Sequence, residues 1–234
     1  DKFNDLAHEW WNLDGQFKTL HQINPARVEF IQRHVELTGK RLIDVGCGGG
    51  ILAESLVQAG AVVDAIDLAP QSIEIAQLHL YESNLQVNYE CIEIAAKAKL
   101  AAESYDVLTC MEMLEHVPSP DYIIAECAKL IKPGGIAFFS TLNRNIKSYT
   151  LGVVAAEYLL NLVPQGTHDF KKFIQPAELR QMLQRHGFEL IALSGIDYKP
   201  FSQKFGLSQN TDINYLVACQ KTCCHQAGSA GVMQ

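Results

Sequence analysis

From residue 41 onward the chain alternates short apolar runs with amphipathic stretches. "RLIDV" is a strand-like run that enters four glycines, and "GILAESLVQAG" then carries a helical period closed by Gly60. "AVVDAID" is apolar again and ends on Asp67, and "APQSIEIAQLHLYESN" opens a second helix with Pro and Ser in its first turn. "VNYECIE" predicts a short strand, followed by a polar connection and a further strand at "SYDVLTCM". "PSPDYIIAECAKLIKPGG" reads as a helix stopped by Pro133 and Gly134, with "IAFFSTL" as the next strand. Ahead of these, residues 1–38 hold aromatics and two helical stretches. One is "NPARVEFIQRHVEL", with apolar positions 28, 31 and 35 behind the turn signal Asn24-Pro25.

Strands alternating with helices of ten or more residues imply a mostly parallel sheet covered on both faces. The fold class is therefore α/β, doubly wound. After Arg144 the rhythm breaks for roughly thirty residues, until "QPAELRQMLQRHGFELIAL" restores a helix and a strand. "INYLVACQ" supplies a last strand. With no repeat and no low-complexity linker, one domain over 1–221 is expected, with an N-terminal helical lid (1–38), an insertion (145–175) and a disordered tail at 222–234.

Composition narrows the class. Of 234 residues, 48% are hydrophobic and 19% charged, which suits a buried core rather than a disordered chain. The net charge of -7, with lysines and arginines scattered, lacks the basic stripe of a nucleic-acid binder. No apolar run reaches the roughly 18 to 20 residues that cross a bilayer, so the cytoplasm is the expected location. Seven cysteines, mostly inside apolar stretches, read as reduced buried thiols.

The glycine cluster is the first candidate site. In an open parallel sheet the ligand crevice lies beyond the carboxyl ends of the strands, and Gly46, Gly48 and Gly50 follow the first of these strands. Without Cβ atoms the chain turns tightly and a ligand can lie on the peptide groups. Asp67 closes the second strand, where a carboxylate accepts from both hydroxyls of a ribose. The spacing is G-x-G-x-G rather than G-x-G-x-x-G, and no GxxxxGK[ST] is present, so an adenosine ligand without a pyrophosphate is expected.

"DVGCGGG" with "AID", "DVLTCMEMLEHV" and "LIKPGG" resembles the class I S-adenosylmethionine-dependent methyltransferases, a Rossmann-like fold. That resemblance implies a seven-stranded sheet with the last strand antiparallel, here "INYLVACQ". Within the class, "WWNLDGQFKTLHQINPARVEFI", "TCMEMLEHV", "FFSTLNRN" and "VPQGTHDFKKFI" resemble the bacterial ubiquinone-pathway O-methyltransferases, from about Phe3 to Lys221. The resemblance implies S-adenosylmethionine as donor, with Arg27, Gly46, Asp67 and Met111 contacting it. It implies methylation of phenolic hydroxyls of polyprenylated catechol or phenol intermediates, and other enzymes of the same pathway as partners. Arg27 suits the donor's carboxylate as a planar fork, and Met111 would pack on the adenine. Asp44 has two open roles: holding the glycine loop through backbone N–H groups, or binding the donor's ammonium.

A phenol attacks far better as phenolate, so a base or a Lewis acid is needed. "MEMLEHV" sets Glu112, Glu115 and His116 at the end of the fourth strand. If the turn there is helical, the three share a face and form a metal site, with magnesium implied by the resemblance. Magnesium prefers oxygen ligands, so the alternative is that His116 takes the proton itself, oriented by Glu112 or Glu115. "THDFKKF" offers His168, with Asp169, as a second candidate base.

The stretch 148–164 is apolar on nearly every side, with Glu157 and Asn161 on its one polar face and Lys147, Lys171 and Lys172 flanking it. Two readings stand: a buried helix over the active site, or an interfacial helix that guides a polyprenyl tail and makes the protein peripheral on the inner membrane. Two rival functions remain beside the main one, another small aromatic acceptor and a non-catalytic adenosine-binding module.

Overall fold

The computed structural model describes residues 10–15, 17–145, 172–199, 201 and 204–223. Its elements in chain order are α1 Lys18–Gln32, β1 Arg41–Val45, α2 Ile51–Gln58, β2 Val62–Asp67, α3 Pro70–Ser83, β3 Val87–Cys91, α4 Ile94–Leu100 and β4 Tyr105–Met111. A 3₁₀ turn at Leu114–His116 leads to α5 Pro120–Leu130 and β5 Ile131–Leu142. Then come α6 Pro176–Arg185, β6 Phe188–Lys199, β7 Lys204–Ser208 and β8 Asn214–Lys221.

The strands form one sheet in the order β3-β2-β1-β4-β5-β8-β6-β7. Strands β1 to β5 are mutually parallel, and β8 enters antiparallel between β5 and β6. Strand order reverses between β1 and β4, and the crevice of a doubly wound sheet opens at that reversal.

Alternation along the central strands builds the two apolar layers. Ile43, Val45, Leu108 and Cys110 face a cluster that α4, α5 and α6 complete through Ile94, Ile124 and Leu179. Leu42, Val107 and Met111 face a second cluster, completed by α1, α2 and α3 through Phe30, Leu56 and Ala76. Both faces are covered, as the near-continuous apolar runs of β1 and β4 require.

Three elements depart from the pattern read in the sequence. The sheet has eight strands rather than seven, because "KFGLS" pairs as β7 with the second half of β6. The connection after β3 is helical: α4 is only seven residues long, too short to display a period. Finally α1 begins at Lys18 and runs through Pro25 instead of starting behind it. The Pro25 ring faces solvent, while Ile23, Asn24, Ala26 and Arg27 are buried around it. Packing therefore outweighs a local helix-breaker.

Candidate active site

The turn after β1 is built on glycine backbone. Gly46, Gly48 and Gly50 have φ of +75°, +54° and +89°, a region costly for residues with a Cβ. Space is equally restrictive: a Cβ on Gly46 would lie 2.7 Å from the Met113 sulfur, and one on Gly50 would lie 2.2 Å from the Tyr89 hydroxyl oxygen. The Gly48 N–H donates to Oδ2 of Asp67 at 2.9 Å, and the Ala69 N–H donates to Oδ1 at 2.8 Å. Asp67 thus ties the glycine turn to the end of β2 while each oxygen keeps accepting capacity.

Two cavities meet at this turn, and Gly46 lines both. The larger, about 430 Å³, is mostly apolar, with Ile66, Ile92, Met113 and Val117 as walls and Asp67 and Glu93 among its polar groups. The smaller, about 190 Å³, holds Arg27, Asp44, Met111 and Glu112, with Trp10 over it. Trp10 lies against the glycine turn: its Nε1 would be 2.2 Å from a Cβ on Gly49. Trp11, next to it, stacks on the ring of His79 at 3.5 Å.

The smaller cavity is lined by charged groups. Arg27 is 5% exposed, pairs with Glu112, and has no hydrogen-bond partner for its Nε among the described residues. Burial lowers its pKa to about 10, opposed by the charges of Asp44 and Glu115. Asp44 is buried and accepts from the Thr109 hydroxyl at 2.7 Å. Desolvation raises its pKa to about 6, against the Thr109 bond and the Arg27 charge. Glu115 accepts from the Thr141 hydroxyl at 2.8 Å, and burial raises its pKa to about 7. The site sets one buried cation among three carboxyl groups, each held by one hydroxyl.

The third of those hydroxyls explains the geometry at the end of β4. Glu112 has a φ of +50° and its backbone N–H donates to the Ser140 hydroxyl at 2.9 Å; that hydroxyl lies 3.1 Å from Glu112 Oε1. The helical turn begins only at Leu114, so Glu112 shares no helical face with Glu115 and His116. Ser140 and Thr141 are consecutive on β5 and point to opposite faces of the sheet, drawing Glu112 and Glu115 apart. His116 is exposed at the end of the turn. The three expected metal ligands do not converge, and among the described residues no group of three His, Cys, Asp or Glu fits a metal ion.

Arg27, Asp44, Gly46 and Gly48 line the smaller cavity, and Asp67, bonded to Gly48, lines the larger; Gly50 lines neither. Met111 lies in the smaller cavity beside Arg27, and the methionine bordering the larger, apolar one is Met113. His168 lies outside the described residues, as do most of 145–175 and 224–234. Sequence reasoning did not single out Met113 or the hydroxyls of Thr109, Ser140 and Thr141. The alternation of "FFSTL" beside "VLTCM" is the signal that brings hydroxyls to the acids.

A family model described as "Methyltransferase domain" matches residues 9–193. The chain is 52% identical to the ubiquinone biosynthesis O-methyltransferase of Burkholderia thailandensis, over 94% of this chain and 95% of that protein. It is 50% identical to the protein of the same name from Chromobacterium violaceum, over 94% and 95%. This chain belongs to the ubiquinone biosynthesis O-methyltransferase family. Members of that family are methyltransferases, and so is this protein. Its fold is shared by magnesium protoporphyrin IX methyltransferase of Synechocystis, solved with bound SAH. The TM-score is 0.62 at 22% identity, covering 86% of this chain and 83% of that one. The likeness extends to the class I methyltransferase fold, with a late strand running antiparallel. No helix among the described residues is long and apolar enough to cross a membrane.

Proposed function

We propose that this methyltransferase moves the methyl group of S-adenosylmethionine to a phenolic hydroxyl of a polyprenylated catechol or phenol on the route to ubiquinone. The observation that carries the reading is the bipartite site: an apolar cavity and a small charged one meeting at Gly46, with Asp67 beside the first and Arg27 inside the second. A nucleoside joined to a charged amino-acid tail has that division of character. Asp67 would accept from the ribose hydroxyls, and the unpartnered Nε of buried Arg27 suits the tail's carboxylate. When bound, this donor supplies an electrophilic methyl on a cationic sulfur.

The chain's own part is to position and to deprotonate. Positioning comes from the turn at Gly46, whose positive φ and close contacts leave no room for a Cβ. His116 stands exposed on the turn between Met113 and Val117; those two border the larger cavity, which His116 itself does not line. We assign it the phenol proton: the phenol O–H bond breaks toward the imidazole as the oxygen–methyl bond forms. His168 is the alternative base. Among the described residues Glu112, Glu115 and His116 do not form a group that fits a metal ion.

Residues 148–164 are proposed to touch the bilayer surface that holds the polyprenyl tail. Liposome flotation of the intact protein and of a form lacking 149–163 tests this, and equal failure to float discards it. The main reading is tested by transfer of labelled methyl from S-adenosylmethionine to a short-chain demethylubiquinol, with and without chelator. Turnover is expected from the intact protein, with a loss on the order of 10²-fold or more in His116→Ala. Donor binding without turnover on any such phenol would sink the reading.

A further inference from the structure

Arg27 is the one cation among the described residues that line the small cavity, and a carboxylate of the chain itself already engages it. We propose that Glu112 is a built-in competitor for Arg27, holding the place that the donor's carboxylate takes and yielding it when the donor binds. The inference rests on the small cavity being the site for the amino-acid end of the donor.

Three features make Glu112, rather than its neighbours, the exchangeable partner. Asp44 and Glu115 are 2% and 3% exposed and are fixed on Thr109 and Thr141, whereas the Glu112 side chain is 25% exposed. Glu112 stands outside regular structure, between the end of β4 and the 3₁₀ turn, in a left-handed conformation that stores strain. And it need not be left without a partner: Oε1 already accepts from the Ser140 hydroxyl at 3.1 Å while Oε2 faces Arg27, so the Ser140 contact can persist when Oε2 turns away.

The arrangement has a physical logic. A buried guanidinium without a close counter-charge is costly, so the free protein needs an internal partner for Arg27. That partner, however, must be given up before a bidentate pair with an external carboxylate can form. The donor's tail then adds only the difference between two similar ion pairs. Affinity is thereby held down at the charged end, while the nucleoside end in the larger cavity is unaffected. Such a trade keeps the demethylated product, which carries the same tail, from being retained.

The test is calorimetric titration of the intact protein and of Glu112→Gln with two ligands. One is S-adenosylhomocysteine, which has the amino-acid tail. The other is 5′-methylthioadenosine, which has the same thioether nucleoside and no carboxylate. Gln keeps the shape and removes the competing charge. S-adenosylhomocysteine should therefore bind about tenfold more tightly to the variant, while 5′-methylthioadenosine changes less than about twofold. A purely structural role would move both ligands together. Should Glu112→Gln not fold, Glu112→Asn is expected to give the same split, because Asn tolerates a positive φ and is neutral.

Unchanged affinity for S-adenosylhomocysteine would overturn the proposal. So would weaker binding of it with 5′-methylthioadenosine unaffected, since Glu112 would then be holding the donor's ammonium. If neither ligand bound the intact protein, the donor-site reading itself would fail and this inference with it.

Discussion

Asp67, at the end of β2, and Gly48, in the turn after β1, lie 19 residues apart and are joined by a 2.9 Å hydrogen bond from the Gly48 N–H to Oδ2 of the carboxylate. The acid expected to read a ribose is thus already tied to the glycine turn. One side chain shapes the turn and, in the proposed function, also meets the ribose.

Replacing it should therefore cost twice. In Asp67→Asn one oxygen becomes a donor, which cannot accept from both the Gly48 and Ala69 N–H groups and still serve two hydroxyls. Hydrogen bonds to a charged group contribute roughly 1.5–3 kcal/mol each. KM for S-adenosylmethionine should rise on the order of 10- to 100-fold, with a smaller fall in kcat. Unchanged steady-state KM would show that this carboxylate does not meet the donor.

At Gly46 both conformation and space are used. Gly46→Ala sets a Cβ at φ +75° and 2.7 Å from the Met113 sulfur, costing about 1–3 kcal/mol of stability. Adding Met113→Ala should relieve the steric part and leave the backbone part. The fall in melting temperature caused by Gly46→Ala is expected to be smaller in the Met113→Ala background than in the intact protein, but not zero. Additive melting shifts would contradict the contact.

The buried acids give the ligand-free protein a pH dependence with a definite sign. Asp44 and Glu115 are raised from 3.8 and 4.5 to about 6 and about 7, chiefly by desolvation. The folded state binds more protons than the unfolded one in that window. Their contribution is complete below the unfolded values and is lost as pH rises through about 6 and about 7, roughly 3 kcal/mol for each group at most. Thermal melting should fall between about pH 4 and pH 7 and level off above that. Asp44→Asn should flatten the lower part of that decline and leave the part near pH 7. A melting temperature that climbs across the same range would exclude these assignments.

Thr141 gives Glu115 its side-chain donor. Thr141→Val preserves volume but leaves a buried carboxyl group without that bond, a loss of roughly 1–3 kcal/mol. Urea unfolding should register a larger loss at pH 8, where the acid is ionised, than at pH 5, where it is neutral. Equal losses at both pH values would mean that the carboxylate form is not what Thr141 stabilises.

Much of the fold was legible because it depends on local periods. The runs "RLIDV", "AVVDAID" and "SYDVLTCM" became β1, β2 and β4 almost residue for residue, since strands buried on both faces must be apolar along their length. The elements that escaped were those whose formation is decided elsewhere: α4, too short to show a period, and β7, which exists because β6 extends far enough to pair with it. Pro25 was misleading for the same reason, as its missing donor mattered less than the buried face on either side of it.

The sequence by itself determined the glycine turn and the acid at the end of β2. Positive φ, absent Cβ atoms and strand ends are properties of neighbouring residues, and they fix where a ligand can meet backbone. Only the tertiary structure decided that Glu112 turns to Arg27 while Glu115 turns to Thr141, and that Met113 rather than Met111 borders the apolar cavity. Those outcomes depend on which hydroxyl or cation a neighbouring strand or helix presents to a buried acid. A charged group taken out of water settles on the partner within reach, and sequence spacing does not encode that partner.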